Sequence, residues 1–254
     1  MTKFDLHIHS CYSNNIYSNR LLCPSSSSKP EEIIETAIER GMGAIAVTDH
    51  DNIIGSLRTI EVARKKYSNK IIVVPGVEVS TKNGHILAYN VFDNIPKNLT
   101  AIETIKIIKQ KGGVAVAAHP FNVKYSMKKN LVDKYRAEFF ALEMGNSRSF
   151  KNEFTKSYIE KYHLPFTFGS DAHSLEDIGL CYGKTWENVN TVGALLESIR
   201  SRRISPGRIY DKKLVKRVVP SALKTFFIWK WRQLKSFVDK DVFLPYEDTN
   251  FSWN

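Results

Sequence analysis

The segment DLHIHSCYSNN, residues 5–15, ends the first apolar run of the chain with two histidines, His7 and His9. Side chains alternate along a β-strand, so both imidazoles would lie on the same face. One buried histidine would carry little information. Two imidazoles on one face, beside Asp5, predict a site for a metal ion or a phosphate group.

Further polar residues lie where other apolar runs end or directly after a turn. They are Asp49, His50, Glu78, His85, His119, Glu143, Asn146, Arg148, Asp171 and His173. Any single motif, such as TDH or SDAH, could be a helix cap. Imidazoles and carboxylates brought together, however, are desolvated at a high cost unless a cation is present. The pattern as a whole therefore predicts a metal centre. His163 lies in a helix-to-strand connection, and we expect it to be structural.

The elements that must position these groups are short apolar strands alternating with helix-like segments. PEEIIETAIERG, residues 30–41, has a proline suited to the first helical turn and a glycine suited to the C-terminal cap. Near-continuous apolar strands that alternate with helices predict a parallel sheet covered on its outer face. About seven such units favour a closed barrel, and the strand ends of such a barrel converge on one rim.

Length and composition agree with a large soluble domain of class α/β. The chain has 254 residues, of which 43% are apolar. We expect no signal peptide and no membrane span. Three cysteines without CxxC spacing predict a reducing, cytoplasmic location. The net charge is +11, but residues 200–254 hold 13 basic and 5 acidic residues and so account for most of it. The total charge therefore says little about the substrate of the region before residue 200.

The motifs HIH, TDHD, GVEVS…GH, AAHP and GSDAH, in this order, resemble those of the PHP (polymerase and histidinol phosphatase) family. The resemblance covers about residues 3–203. It implies a distorted (β/α)7 TIM-like barrel over residues 1–203 that binds two or three divalent metal ions and hydrolyses phosphate esters. Residues 204–254 would form a basic, aromatic extension. Mixed histidine and carboxylate ligands suit zinc, manganese or iron.

The resemblance also implies a ligand set. The first metal would take His7, His9, Glu78 and Asp171. The second would share Glu78 and add His85 and His119. The third would take His50 and His173. Family members usually carry Asp or His shortly after the YS pair, where this chain has Asn14 and Asn15. A neutral amide oxygen, such as that of Asn14, is a poorer ligand than a carboxylate, so the third site should be weaker, empty or completed from elsewhere.

The implied mechanism is metal-assisted hydrolysis. Two metals about 3.5–4 Å apart lower the pKa of a shared water, and the resulting bridging hydroxide attacks phosphorus. Arg148 would grip the phosphate, with Asn146 as a second substrate contact and Asp171 among the catalytic ligands. His173 or His50 would bind the third metal or protonate the leaving group.

Three functions stay open at this point. A small phosphomonoester, such as a nucleotide or a sugar or metabolite phosphate, is the first, because one compact barrel offers a closed pocket. The second is phosphodiester hydrolysis, in which a nuclease acts on oligonucleotides and the basic tail guides the nucleic acid. The third is a non-catalytic scaffold, supported only by the two asparagines.

The tail carries a predicted amphipathic helix in residues 211–240, which include the aromatic cluster FFIWKW. Its apolar positions follow helical spacing, with lysines and arginines among them. We expect this helix to pack on the barrel or across a homodimer interface. Peripheral contact with an anionic membrane surface is the second interpretation, and contact with nucleic acid is the third.

Overall fold

The computed structural model describes residues 1–13, 26–68 and 70–208. The strands are β1 (Lys3–Ile8), β2 (Ala44–Val47), β3 (Ile72–Thr81), β4 (Gly84–Tyr89), β5 (Val114–Ala117), β6 (Ala141–Asn146), β7 (Phe166–Gly169), β8 (Tyr182–Thr185) and β9 (Ile204–Arg208). The helices are α1 (Pro30–Glu39), α2 (Ile54–Lys66), α3 (Ala101–Gln110), α4 (Lys129–Tyr135), α5 (Asn152–Tyr162) and α6 (Val192–Arg200), with a 3₁₀ turn at Leu175–Asp177.

All nine strands form one sheet in the order β7-β6-β5-β4-β3-β2-β1-β8-β9. The sheet curls until β7 lies beside β1, which gives a nearly closed, distorted barrel of class α/β. This confirms the predicted fold class. The expectation of an all-parallel sheet is wrong, because β4 runs antiparallel to β3 and β5, and β8 runs antiparallel to β1 and β9.

The reversal at β4 follows from the length of its connection. Only Lys82 and Asn83 separate β3 from β4, whereas a crossover between parallel strands needs about a dozen residues. The two strands therefore form a hairpin in which Ser80 pairs with His85 and Glu78 with Leu87. This register places Glu78 and His85 on one face of the hairpin as diagonal neighbours.

The seam between β1 and β7 lacks a regular ladder. One isolated bridge joins Ile8 to Ala172, just after β7. The backbone amide of His9 donates to the Ala172 carbonyl at 2.8 Å, and the Ala172 amide donates to the His7 carbonyl at 3.2 Å. The barrel thus closes through a few hydrogen bonds at the end of the strands that carries the polar residues.

Strand β2 shows why the sheet is covered on both faces. Ala44 and Ala46 pack into one apolar cluster, while Ile45 and Val47 pack into a second cluster that includes Ile33 of α1. All these side chains are fully buried. A strand buried on both sides is continuous in its apolar character, as the sequence pattern predicted.

The predicted boundaries of α1 are confirmed, and α3 has ends of a similar kind. Pro30 occupies the first turn of α1, and Gly41 follows its end with φ +71°. Helix α3 begins at the capping residue Thr100, whose hydroxyl accepts a hydrogen bond from the Glu103 amide. Gly112 follows the end of α3 with φ +75°, which is the left-handed region that favours glycine.

The sheet continues past the predicted boundary at residue 203. Strand β9 pairs with β8, so residues 204–208 belong to the barrel sheet and not to a separate extension. The predicted tail helix in residues 211–240 lies outside the described residues. Among the described residues, no helix combines the length and the apolar character needed to cross a bilayer.

Candidate metal centre

Eight polar side chains meet at one end of the barrel. They are His7 of β1, His9 after β1, His50 after β2, Glu78 of β3, His85 of β4, His119 after β5, and Asp171 and His173 after β7. All are buried apart from His173, which is partly buried. Since β4 runs antiparallel, His85 reaches this end from the start of its strand.

Glu78 lies at the middle of the cluster and faces five imidazoles. Its Oε1 atom lies 2.9 Å from His85 Nδ1 and 3.1 Å from His119 Nε2. Its Oε2 atom faces three further nitrogens at 3.0–3.4 Å, which are His50 Nδ1, His7 Nε2 and His9 Nε2. The two oxygens of one carboxylate therefore divide the imidazoles into two groups, as expected of a bridging ligand.

Asp171 supplies the second carboxylate of the cluster. Its Oδ1 atom lies 3.2 Å from His9 Nε2, 3.7 Å from His7 Nε2 and 3.5 Å from His173 Nδ1. Asp171 is thus shared by histidines from both ends of the barrel sequence. His7 Nε2 and His9 Nε2 therefore each lie close to both carboxylates, Asp171 Oδ1 and Glu78 Oε2.

The donor atoms fit a metal centre. Among the described residues, ten buried side-chain nitrogen or oxygen atoms make no hydrogen bond, and four belong to this cluster: His7 Nε2, His9 Nε2, His50 Nδ1 and Glu78 Oε2. Buried polar atoms are almost always satisfied in native proteins. Three groups of potential ligand atoms lie within 4.8 Å of one another: His7, His9 and Glu78; His50, Glu78 and His85; and His9, His50 and His173.

The charges in the cluster are strongly coupled. Burial opposes the ionisation of Glu78, but the imidazoles of His50 and His7 outweigh it, and the pKa of Glu78 stays well below its usual range. Burial lowers the pKa of His9 to about 4, and His50 adds to this shift. Burial also acts on His7, yet Glu143 and Glu78 raise the pKa of His7 well above its usual value. Metal ligands must be deprotonated, so metal binding would displace protons from this cluster.

The family model of the PHP domain matches residues 5–163, which is more than half of the chain. The chain belongs to the PHP family. This PHP domain is therefore a metal-dependent phosphoesterase. A second family model, for the PHP-associated region, matches residues 150–204, and the two models together reach from β1 to the start of β9.

Relatives of this PHP domain agree with the assignment. It is 36% identical over 120 residues to an uncharacterised protein of Methanocaldococcus jannaschii, covering 47% of this chain and 68% of that protein. It is 30% identical over 118 residues to a 5′-3′ exoribonuclease of Haemophilus influenzae, covering 45% and 38%. A two-domain Bacteroides vulgatus protein with a predicted PHP-like metal-dependent phosphoesterase shares the fold, with a TM-score of 0.66 at 16% identity over 90% of this chain and 69% of that one.

Glu143 is the main supporting residue of the PHP centre. Its Oε1 atom lies 2.9 Å from His7 Nδ1, and its Oε2 atom accepts hydrogen bonds from the His119 backbone amide at 2.6 Å and from Asn146 Nδ2 at 3.1 Å. A carboxylate on the second nitrogen of an imidazole sets the tautomer and orientation of a ligand. The sequence placed Glu143 at a strand end but gave it no role.

Two serines that the sequence did not single out also orient imidazole rings of the cluster. Ser13 Oγ lies 3.2 Å from His9 Nδ1 and accepts a hydrogen bond from the His50 amide at 2.9 Å. Ser126 Oγ lies 2.9 Å from His119 Nδ1. Each serine leaves the other nitrogen of the ring it contacts directed into the cluster.

Asp49 and Asp5 accept hydrogen bonds from neighbouring turns and not from the imidazole side chains of the cluster. Asp49 accepts hydrogen bonds from the amide and the hydroxyl of Ser10, each at 2.5 Å. Asp5 accepts hydrogen bonds from the amides of Ser170 at 2.8 Å and Gly179 at 2.7 Å. Burial raises the pKa of Asp5 to about 6 and that of Asp49 to about 7, against these hydrogen bonds.

Arg148 and Asn146 lie beside the cluster in different environments. Arg148 lines the cavity over the cluster together with Asp171 and His173, and its buried Nε atom has no hydrogen-bond partner. Its Nη2 atom lies 3.4 Å from Asp177 Oδ2. Asn146 is fully buried, and its amide is already engaged, since Nδ2 reaches Asp171 Oδ2 at 3.5 Å and Oδ1 accepts from the Arg148 amide at 2.8 Å. This placement favours a supporting role over a substrate contact.

Two further sequence predictions concern Asn14 and His163. Asn14, the candidate ligand of a third metal, lies outside the described residues, and so does Asn15. His163 ends helix α5 in a left-handed conformation with φ +52°, so it has the structural role that was expected.

Gly84 allows the loop of residues 119–128 to approach the metal centre. It has φ +123°, and a Cβ atom there would lie 2.4 Å from the Met127 backbone nitrogen. We expect Gly84→Ala to lower the free energy of unfolding by about 2 kcal/mol or more, because it adds both backbone strain and a steric clash. Chemical denaturation measures this loss. Gly112→Ala is the matched control, since Gly112 also has positive φ but nothing within 4 Å of the added atom; an equal loss in both variants would contradict the clash.

Proposed function

We propose that this PHP domain hydrolyses a small phosphomonoester. The observation that carries the proposal is the position of Arg148, which lines a cavity of about 460 Å³ together with Asp171 and His173. Lys124 lines the same cavity. Two cationic side chains over a cluster of candidate metal ligands suit a phosphate dianion. A pocket of this volume accommodates a ligand of metabolite size.

The proposed metal ligands fall into three sets. The first set is His7, His9, Glu78 and Asp171. The second set is Glu78, His85 and His119, and the third is His50 and His173 with Asn14. The first two sets are supported by the division of His7 and His9 from His85 and His119 between the two oxygens of Glu78. His50 also lies at Glu78 Oε2, at 3.0 Å, and its place in the third set is supported by its grouping with His9 and His173. Bound divalent ions of zinc, manganese or iron would supply positive charge to the phosphoryl group and lower the pKa of a water molecule.

The residues of the chain itself bind and orient the ester. Arg148 donates N–H groups to the non-bridging phosphoryl oxygens, and it stabilises the negative charge that these oxygens carry in the transition state. Asn146 contacts both the Asp171 carboxylate and the Arg148 backbone amide, and so fixes the position of one relative to the other. Burial and the Arg148 charge hold the pKa of His173 well below its usual value, so its imidazole is neutral, as a ligand must be. Protonation of the leaving group by His173 or His50 stays a prediction, and the lowered pKa of His173 disfavours that residue as the acid.

The direct test uses the full chain stripped of metal by a chelator and reloaded with manganese, zinc or iron. We expect hydrolysis of an aryl phosphate to appear only after reloading. Elemental analysis of the same samples should give two or three ions per chain. No hydrolysis with any metal would contradict the proposal, and less than one ion per chain would favour the scaffold interpretation.

Arg148→Ala should lower kcat/KM for the monoester by about tenfold, because it removes a hydrogen bond to a charged group. Arg148→Lys should recover only part of this loss, since lysine keeps the charge but not the planar fork. Steady-state kinetics at saturating metal measure both effects. Arg203→Ala removes an exposed arginine that faces Glu187 and should leave kcat/KM unchanged. Equal activity in all three variants would contradict the proposal that Arg148 binds the phosphate.

Hydrolysis of nucleic acid by a nuclease is the second candidate, and the exoribonuclease of Haemophilus influenzae is the observation that favours it. Such a substrate makes several phosphate contacts, so its binding falls steeply with salt. We expect kcat/KM for an oligonucleotide to fall far more than that for a monoester between about 50 and 200 mM salt. A guiding role for the basic tail, like its predicted contact with a membrane or a second copy, concerns residues outside the described ranges.

A further inference from the structure

The cavity over the metal centre is lined by candidate ligands, by the cations Lys124 and Arg148, and by three apolar side chains, Val123, Tyr125 and Phe150. These three apolar side chains are exposed and form the rim of the cavity. The cations suffice for a phosphate group. The apolar rim has no role in the phosphate chemistry, so it is available to another part of the ligand.

Exposed apolar side chains are concentrated at this rim. In the described ranges, seven large apolar side chains are exposed: Met1, Phe92, Val123, Tyr125, Phe150, Phe154 and Trp186. Three of the seven line the cavity, and Phe150 has 64% of its surface exposed. A fourth, Phe154, contacts Phe121 with ring centroids 5.0 Å apart. A cluster of exposed apolar groups beside a polar cavity is typical of a binding surface.

The rim is held firmly against the metal centre. The Tyr125 ring stacks on the His85 imidazole, with centroids 5.3 Å apart and planes 20° apart. The Tyr125 carbonyl accepts a hydrogen bond from the His85 amide at 2.8 Å, and Tyr125 has φ +56°. A non-glycine residue in this conformation is strained by about 1–3 kcal/mol and persists where the surroundings enforce it. The ring is therefore positioned before a ligand arrives.

We propose that Phe150 and Tyr125 determine specificity by stacking on a flat aromatic ring in the leaving group of the phosphate ester. Of the candidate monoesters, this selects nucleotides over sugar phosphates, and the inference rests on the proposed phosphoesterase function. Phe150 is two residues after Arg148, so their Cα atoms are at most about 7 Å apart. Both side chains line the same cavity, which places the Phe150 ring within reach of an ester whose phosphate Arg148 holds.

Stacking, and not apolar contact alone, is the distinguishing feature. Phe150→Leu keeps an apolar side chain and removes the ring, whereas Phe150→Tyr keeps the ring. We expect the metal-loaded wild type to prefer adenosine monophosphate over ribose 5-phosphate by about tenfold or more in kcat/KM. Phe150→Leu should lower kcat/KM for adenosine monophosphate by about tenfold and leave that for ribose 5-phosphate unchanged. Phe150→Tyr should retain the preference.

Trp186→Leu is the matched control, because Trp186 is an exposed aromatic residue that does not line the cavity. It should leave both kcat/KM values unchanged. Equal losses for both substrates in Phe150→Leu, or no loss for either, would overturn the stacking proposal while the phosphoesterase function stands. A tetranucleotide is assayed in parallel to show whether the stacking base belongs to a free nucleotide or to an oligonucleotide. The substrate with the higher kcat/KM is the one whose base the rim binds.

Binding of the unphosphorylated product gives a readout that needs no turnover. We expect adenosine, titrated calorimetrically into the metal-loaded chain, to bind about tenfold more weakly to Phe150→Leu than to wild type. If no phosphate ester is hydrolysed but adenosine still binds in a Phe150-dependent manner, the proposed function fails and the aromatic site stands. Adenosine binding that is equal in wild type and Phe150→Leu overturns the inference.

Discussion

Replacing Glu78 with glutamine is expected to lower kcat/KM for phosphate ester hydrolysis by about a thousandfold or more and to remove at least one metal ion per chain. Even a partner outside the ligand shell changes affinity or activity by about 10–100-fold, and Glu78 faces five imidazoles at 2.9–3.4 Å. Glutamine has one neutral oxygen, and its amide group would direct hydrogens at imidazole nitrogens. Kinetics and elemental analysis on the same preparation measure both losses.

The control for this substitution is Glu138→Gln. Glu138 is an exposed glutamate paired with Lys109 at 2.7 Å, and exposed ion pairs contribute little to stability. The variant should keep its metal and its activity. A Glu78→Gln protein that retains its full metal content and activity within tenfold of wild type would refute the bridging role.

Replacing Glu143 with alanine should weaken metal binding by about a hundredfold. The carboxylate orients the His7 ring, receives the His119 amide and holds Asn146. Its removal leaves buried donors without acceptors and frees the His7 ring to rotate. Because Glu143 acts through His7, saturating metal should restore most of kcat. Metal titration at equilibrium, combined with kcat at high metal concentration, separates this positioning effect from a chemical role.

Two further variants make the Glu143 experiment decisive. Glu143→Gln keeps one acceptor oxygen and should recover part of the lost affinity. Glu160→Ala removes an exposed glutamate of α5 and should leave metal binding as in wild type, which excludes an effect of charge alone. Unchanged metal affinity in Glu143→Ala would mean that His7 keeps its orientation without the carboxylate.

The convergence of most candidate ligands was predictable because they lie at the ends of apolar runs; His85, at the start of β4, is the exception. His7, His50 and His119 lie at or just after the ends of strands that have parallel neighbours, and the ends of parallel strands meet on one rim whatever the loops do. The periodic helices between the strands made the order of the layers predictable as well. These features depend on local patterns, which a single sequence displays.

The direction of β4 and the supporting contacts were not predicted. The two residues between β3 and β4 are visible in the sequence, and they require a hairpin, but the alternation of strands and helices outweighed them. The contacts of Ser13, Ser126 and Glu143 depend on side-chain rotamers and on the path of the loops. Such choices are decided by packing across the barrel, which no local pattern encodes.

The sparse seam between β1 and β7 gives the proposed first metal set a second consequence. His7 and His9 stand on one side of this seam, and Asp171 stands on the other. An ion shared by these three side chains would act as a clasp across the barrel. Any ligand that binds only the folded state stabilises it in proportion to the logarithm of its concentration, so the metal supply would govern how long the barrel resists opening and proteolysis as well as how fast it reacts.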